Sequence, residues 1–173
     1  HSILNGKLPI RDFWIFTGLV VDYMEAIFLF LFGNNWNSHL AHASFMNIFA
    51  TLTLYFFLRK LKFEKKYLIL YCISFATLCY PVSGTPFAYL HAYIFSLISI
   101  FVLILAIREK NSFLWFIFPL ICLFAFLSMQ TPTTFVLIIL FFVLTNYFFK
   151  SKYFTNLKLF LLGCVISLFI LFL

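Results

Sequence analysis

The chain of 173 residues is 65% hydrophobic and 10% charged, with a mean hydropathy of +1.09, where an ordinary soluble domain carries roughly 25% charged residues. Composition therefore excludes a soluble globular protein and predicts an all-α, polytopic integral membrane protein. The net charge of +7 does not mark a nucleic-acid binder, because the cations fall into short loops between apolar runs, where they orient a chain in a bilayer.

The first polar stretch is Asn5-Gly6-Lys7-Leu8-Pro9-Ile10-Arg11-Asp12. Asn-Gly favours a turn and Pro9 fixes an extended bend, so Arg11 and Asp12 are presented on irregular backbone. An arginine fork can clamp a phosphate, and a carboxylate can take the proton of an attacking hydroxyl. A plain exposed Arg–Asp pair accounts for the same two residues equally well. Residues 13–32 are long enough to span, but Asp22 and Glu25 near the middle would each cost about 2.5–3.5 kcal/mol there. A helix over 19–32 costs less. Its length of about 21 Å is too short to cross, so it is expected to lie at the outer interface with Asp22 and Glu25 on one face turned to water.

Six spans are expected next, over residues 40–58, 64–80, 87–107, 113–129, 133–149 and 157–173, each near the roughly 20 apolar residues that crossing requires. Three loops between them are basic: Arg59, Lys60, Lys62, Lys65 and Lys66; Arg108 and Lys110; Lys150, Lys152 and Lys158. They recur at every second boundary, which places them on the cytoplasmic side. The uncharged loops 81–86 and 130–132, together with 34–38, then face outward. The chain starts without Met, and its last apolar segment has no polar end, so an internal fragment is expected.

Two outward loops end in Thr85-Pro86 and Thr131-Pro132, a pairing that suits an N-cap followed by proline at the first helical position. Helix starts there would aim positive dipole ends outward, where phosphate groups are favoured, although ordinary capping explains them too. His91, between Tyr89 and Tyr93, and Gln130, beside Thr131, are candidates for lining an outward cavity. The alternative for His91 and its tyrosines is membrane-interface anchoring. His39 and His42 share one helical face but lack the glutamate of the HxxH zinc motif and any evident third ligand, so they are read as an interfacial pair rather than a metal site. Cys72, Cys79, Cys122 and Cys164 all sit in apolar segments without ligand spacing.

The stretch Ile3-Leu4-Asn5-Gly6-Lys7-Leu8-Pro9-Ile10-Arg11-Asp12-Phe13, followed by Phe28-Leu29-Phe30-Leu31-Phe32-Gly33, resembles the first external loop of GT-C membrane glycosyltransferases. Within them it looks nearest to the bacterial dolichyl-phosphate-mannose-protein-mannosyltransferase-like group. Leu127-Ser128-Met129-Gln130-Thr131-Pro132 is similar to the l-s-K-Q-t-P that such proteins often carry at an outer helix end. The resemblance implies a GT-C bundle with an external loop over 1–38 and a transmembrane bundle over 39–173, truncated at its C-terminus. It implies transfer of a sugar from a polyprenyl-phosphate donor to a glycan, lipid or protein acceptor on the extracytoplasmic side of a bacterial inner membrane.

Some members of that family use a divalent metal. Asp12 would be the catalytic candidate and Arg11, His91, Gln130 and Thr131 the substrate-binding ones. Two departures stand out. The family's usual catalytic acid falls upstream of this chain, which is then expected to be inactive alone, and Met129 replaces the common lysine. The competing expectations are a transporter or flippase subunit and a surface-polysaccharide polymerase or ligase. Transporters tend to carry repeats and paired broken helices, whereas this chain shows no repeat and has Pro119 alone inside a span.

Overall fold

A computed structural model describes residues 2–9, 11–13, 18–81, 83–109, 111–150 and 154–172. Residues 14–17 of the expected segment 13–32 lie outside it, as do Lys110 and Lys152 of the basic loops. The described residues are helical with no strand: a 3-10 turn at Ile3–Asn5, then α1 (Leu19–Phe32), α2 (Trp36–Lys60), α3 (Lys65–Cys79), α4 (Ala88–Glu109), α5 (Ser112–Ser128), α6 (Gln130–Lys150) and α7 (Phe154–Phe172). They divide into two compact units, His1–His91 with Leu127–Met129, and Ala92–Phe126 with Gln130–Leu173.

In the first unit, α1 and α2 form a helical hairpin whose reversal is written in Gly33-Asn34-Asn35. Gly33 takes φ 82°, which a Cβ would disfavour, and so ends α1. Asn35 then works in both directions. Its Oδ1 accepts the Ser38 N–H at 3.1 Å, capping α2, while its Nδ2 donates to Phe32 O at 2.7 Å, closing α1. The Ser38 hydroxyl adds a bond to Gly33 O. The first helix packs along α2 and buries Val21, Ala26 and Leu29. At its own start, Gly18 touches the backbone of Leu127 and Ser128 so closely that a Cβ would collide with it.

α2 stops as cleanly as it starts. Lys62 N–H bonds Arg59 O and Phe63 N–H bonds Leu58 O, the two bonds of a Schellman end, with Lys62 at φ 64° where glycine is usual. Arg59 and Lys60 in the last turn complement the negative end of the helix dipole. α3 then returns along α2, tied by Asn47 Nδ2 to Ala76 O at 2.8 Å.

The second unit packs α4, α5, α6 and α7 around Leu103, Ala106, Trp115, Phe118, Cys122, Leu140 and Leu144. Trp115 is wholly buried and stacks on Tyr147 at 5.1 Å between ring centres. Gly163 of α7 lies against Phe116 O of α5, a small-residue contact of the kind that lets helices in a bilayer approach closely.

Three helices, Trp36–Lys60, Ala88–Glu109 and Gln130–Lys150, are long and apolar enough to cross a membrane. Of the other expected spans, α3 has 15 residues and α5 has 17, while α7 has 19, of which Asn156–Leu171 form the apolar stretch described throughout. Among the described residues, three of the six expected spans thus meet both length and composition. The exposed surface is apolar in the same helices, with Phe135, Ile139, Phe141 and Phe142 of α6 each more than 60% exposed, a patch that a water-soluble monomer does not present. Long apolar helices with bare aromatic faces are consistent with a membrane protein.

Both Thr-Pro expectations miss the helix starts. α4 begins at Ala88, beyond Pro86, with the His91 N–H on Phe87 O at 3.2 Å, and Thr85 pairs its hydroxyl with Ser83 at 2.7 Å. α6 begins at Gln130, so Thr131 and Pro132 are already helical. Proline fits anywhere in a first turn whose N–H groups lack partners, and so its position fixes a start only loosely.

Candidate functional site

The hairpin sets Glu25, nine residues before Asn34, opposite His42, eight residues after it. His42 Nδ1 lies 2.5 Å from Glu25 Oε2, and His39 Nδ1, one turn earlier on the same face of α2, lies 2.5 Å from Glu25 Oε1. Oε1 is buried and has no aligned hydrogen bond among the described residues, so the His39 approach is a close contact rather than a directed bond. Burial opposes charge on Glu25, but the two imidazoles, His42 first, outweigh it and hold the carboxyl below its ordinary range.

From the start of α4, His91 completes the cluster. Its Nε2 meets His42 Nε2 at 3.0 Å, and its Nδ1 sits 2.8 Å from Phe87 O. His42 and His91 are both 0% exposed, whereas the side chain of His39 is 34% exposed, so the cluster runs from the surface into the interior. Phe28 stacks on the His42 ring at 4.8 Å between centres and 10° between planes. Four titratable groups from α1, α2 and the first turn of α4 thus touch in a chain, His39, Glu25, His42, His91. Such a chain can accept, hold and pass a proton. Among the described residues no group of three or more side chains is arranged to hold a metal ion.

Of the candidate catalytic and substrate-binding residues, His91 alone belongs to this cluster, buried against His42 rather than lining an open cavity. Tyr89 and Tyr93 beside it are exposed. Arg11 and Asp12 pair with each other instead. Arg11 Nε and Nη2 donate to the two Asp12 oxygens, both at 2.9 Å, and Asp12 Oδ2 also accepts the Leu8 N–H at 2.7 Å. Those bonds, Arg11 first, hold the exposed Asp12 carboxyl down at about 2. Gln130 and Thr131 lie exposed in the first turn of α6, in the second unit.

The sequence reading missed Glu25, which it turned to water, and left His39 and His42 as a pair without a third partner. The turn at Gly33-Asn34-Asn35 was the available signal, since folding the chain there brings Glu25 and the histidines to one level. In the second unit a groove of about 460 Å³ among Phe118, Cys122, Leu140, Phe160, Cys164 and Ser167 is almost wholly hydrocarbon and carries no comparable chemistry. No family model, curated protein or solved structure matches this chain.

Proposed function

We propose that the chain belongs to a GT-C type glycosyltransferase that passes a sugar from a polyprenyl-phosphate donor to an acceptor hydroxyl on the outer side of a bacterial inner membrane. The observation that carries the reading is the Glu25 carboxylate, presented on a short juxtamembrane helix and kept charged by His42 and His39 beside the starts of two helices long enough to span. Transfer of this kind needs such a group. The acceptor oxygen bonds the anomeric carbon, the carbon–oxygen bond to phosphate breaks with its electron pair leaving on the phosphate, and the hydroxyl proton passes to a carboxylate base. Asp12, bound on three sides and titrating at about 2, is the weaker base.

In this reading α3, α5 and α7 cross as well, α5 at the lower end of the spanning range and the 15-residue α3 below it, the shortfall taken up by local thinning of the bilayer and by Lys65 and Lys66 reaching the headgroups. Arg11 then serves the donor phosphate. The contact between the second turn of α2 and the first turn of α4 supports the orientation, since both are expected on the outer side, with Arg59 and Lys60 at the far end of α2, about 37 Å along the helix.

The buried His42–His91 contact favours one second reading, a proton-coupled transporter, because chains of carboxylate and histidine recur in such proteins. Proteoliposomes carrying the full protein and a radiolabelled polyprenyl-phosphate hexose separate the two. The transferase reading predicts label in an added acceptor and none with empty vesicles. No transfer from mannosyl or glucosyl donors, together with proton flux driven by a solute gradient, would replace it with the transporter.

A further inference from the structure

The directions of the hydrogen bonds in the cluster fix more than its contacts. A backbone carbonyl can only accept, so His91 Nδ1, 2.8 Å from Phe87 O, carries a hydrogen. Neutral His91 then has a bare lone pair on Nε2. On the other side, His42 Nδ1 stands 2.5 Å from a carboxylate oxygen, which also accepts. Neutral His42 would likewise have its lone pair on Nε2. Yet these two Nε2 atoms face each other at 3.0 Å, both rings wholly buried. Two lone pairs at that separation repel, and with one hydrogen between them the same distance is an ordinary N–H···N bond.

We propose that the cluster is a proton-binding site: His42 is an imidazolium, donating from Nδ1 to Glu25 and from Nε2 to His91. Proton count alone allows the extra hydrogen on Glu25, on His42 or on His91, and three observations put it on His42. The carboxylate has a second imidazole, His39, 2.5 Å from its other oxygen. Phe28 covers the His42 ring face to face, which favours a cationic ring. The charged and titratable groups meeting His42 are Glu25 on α1, His39 on its own helix and His91 on α4, one anion among three imidazoles, so a single positive charge on His42 leaves the buried pair neutral overall.

A metal ion fits less well. Two imidazole nitrogens bound to one ion at about 2.0–2.1 Å in tetrahedral geometry stand farther apart than the observed 3.0 Å, and no three-ligand group is present among the described residues. The proton has a structural consequence. It ties the first turn of α4 to α2 through His91, and its removal leaves opposed lone pairs that force the contact open. Glu25 and His91 are positioning residues for that proton, and His42 carries it. The inference goes beyond the transferase reading and stands without it.

The test reads protonation directly. Full-length protein labelled with nitrogen-15 in histidine is placed in lipid bilayers at neutral pH, and solid-state nitrogen spectra are assigned with His39→Gln, His42→Gln and His91→Gln variants. His42 is expected to be doubly protonated and His91 singly protonated on Nδ1, while Glu25→Gln should convert His42 to the neutral form. A neutral His42 in the unaltered protein would overturn the proposal. So would a His42 signal unmoved by Glu25→Gln, or His42 and His91 signals that shift on adding a chelator. Where a variant fails to fold, correlation of each ring with its own backbone resonances supplies the assignment, so the spectrum of the unaltered protein still decides, and sugar transfer plays no part in it.

Discussion

Asp12 accepts three hydrogen bonds while staying exposed, and those bonds join Leu8, Arg11 and Asp12 into one closed turn around Pro9. Its carboxyl is lowered from 3.8 to about 2, so its contribution to the turn is complete above roughly pH 4 and is lost as the pH falls through the folded value. The Leu8 amide resonance should therefore titrate with a midpoint near 2, and a midpoint near 4 would mean the bond does not form. The sequence left Asp12 open between base and surface partner, because a motif of charged residues on irregular backbone does not say which hydrogen bonds form. Glu25 was misread for a different reason. Its facing partners are 14 and 17 positions away, and a helical-face argument confined to α1 cannot see across a hairpin.

At the scale of elements, α1 was legible to its bounds: the cost of burying Asp22 and Glu25 in a span led to a helix over 19–32, and Leu19–Phe32 is helical. The apolar runs likewise yielded every later helix within a few residues. The starts of α4 and α6 were not legible, since proline marks a first turn without numbering it. Gly18 is an element-scale feature that no pattern announces. It is the residue before α1, and its missing Cβ is what admits the backbone of Leu127 and Ser128. Gly18→Ala should force α1 away from that backbone at a cost of about 1–3 kcal/mol. A lowered unfolding midpoint of the full protein in detergent would show it, and an unchanged midpoint would mean the two segments do not meet.

Across the whole molecule, composition established the helical class and the apolar surface, and three of the six expected spans are described helices long and apolar enough to cross. Hydropathy sums a segment's character and is indifferent to where the hydrogen-bonded helix ends, so 15- and 17-residue helices were counted beside those of 25, 22 and 21. What composition could not supply is the convergence of α1, α2 and the first turn of α4 on one carboxylate and three histidines. The proposed chemistry rests on that convergence. The most direct measurement is sugar transfer by the full protein in proteoliposomes after Glu25→Gln, a change that keeps the side chain's size and removes its charge. The account predicts a loss of about 100-fold or more, with Asp12→Asn unchanged; transfer by a folded Glu25→Gln protein at the unaltered rate would contradict it.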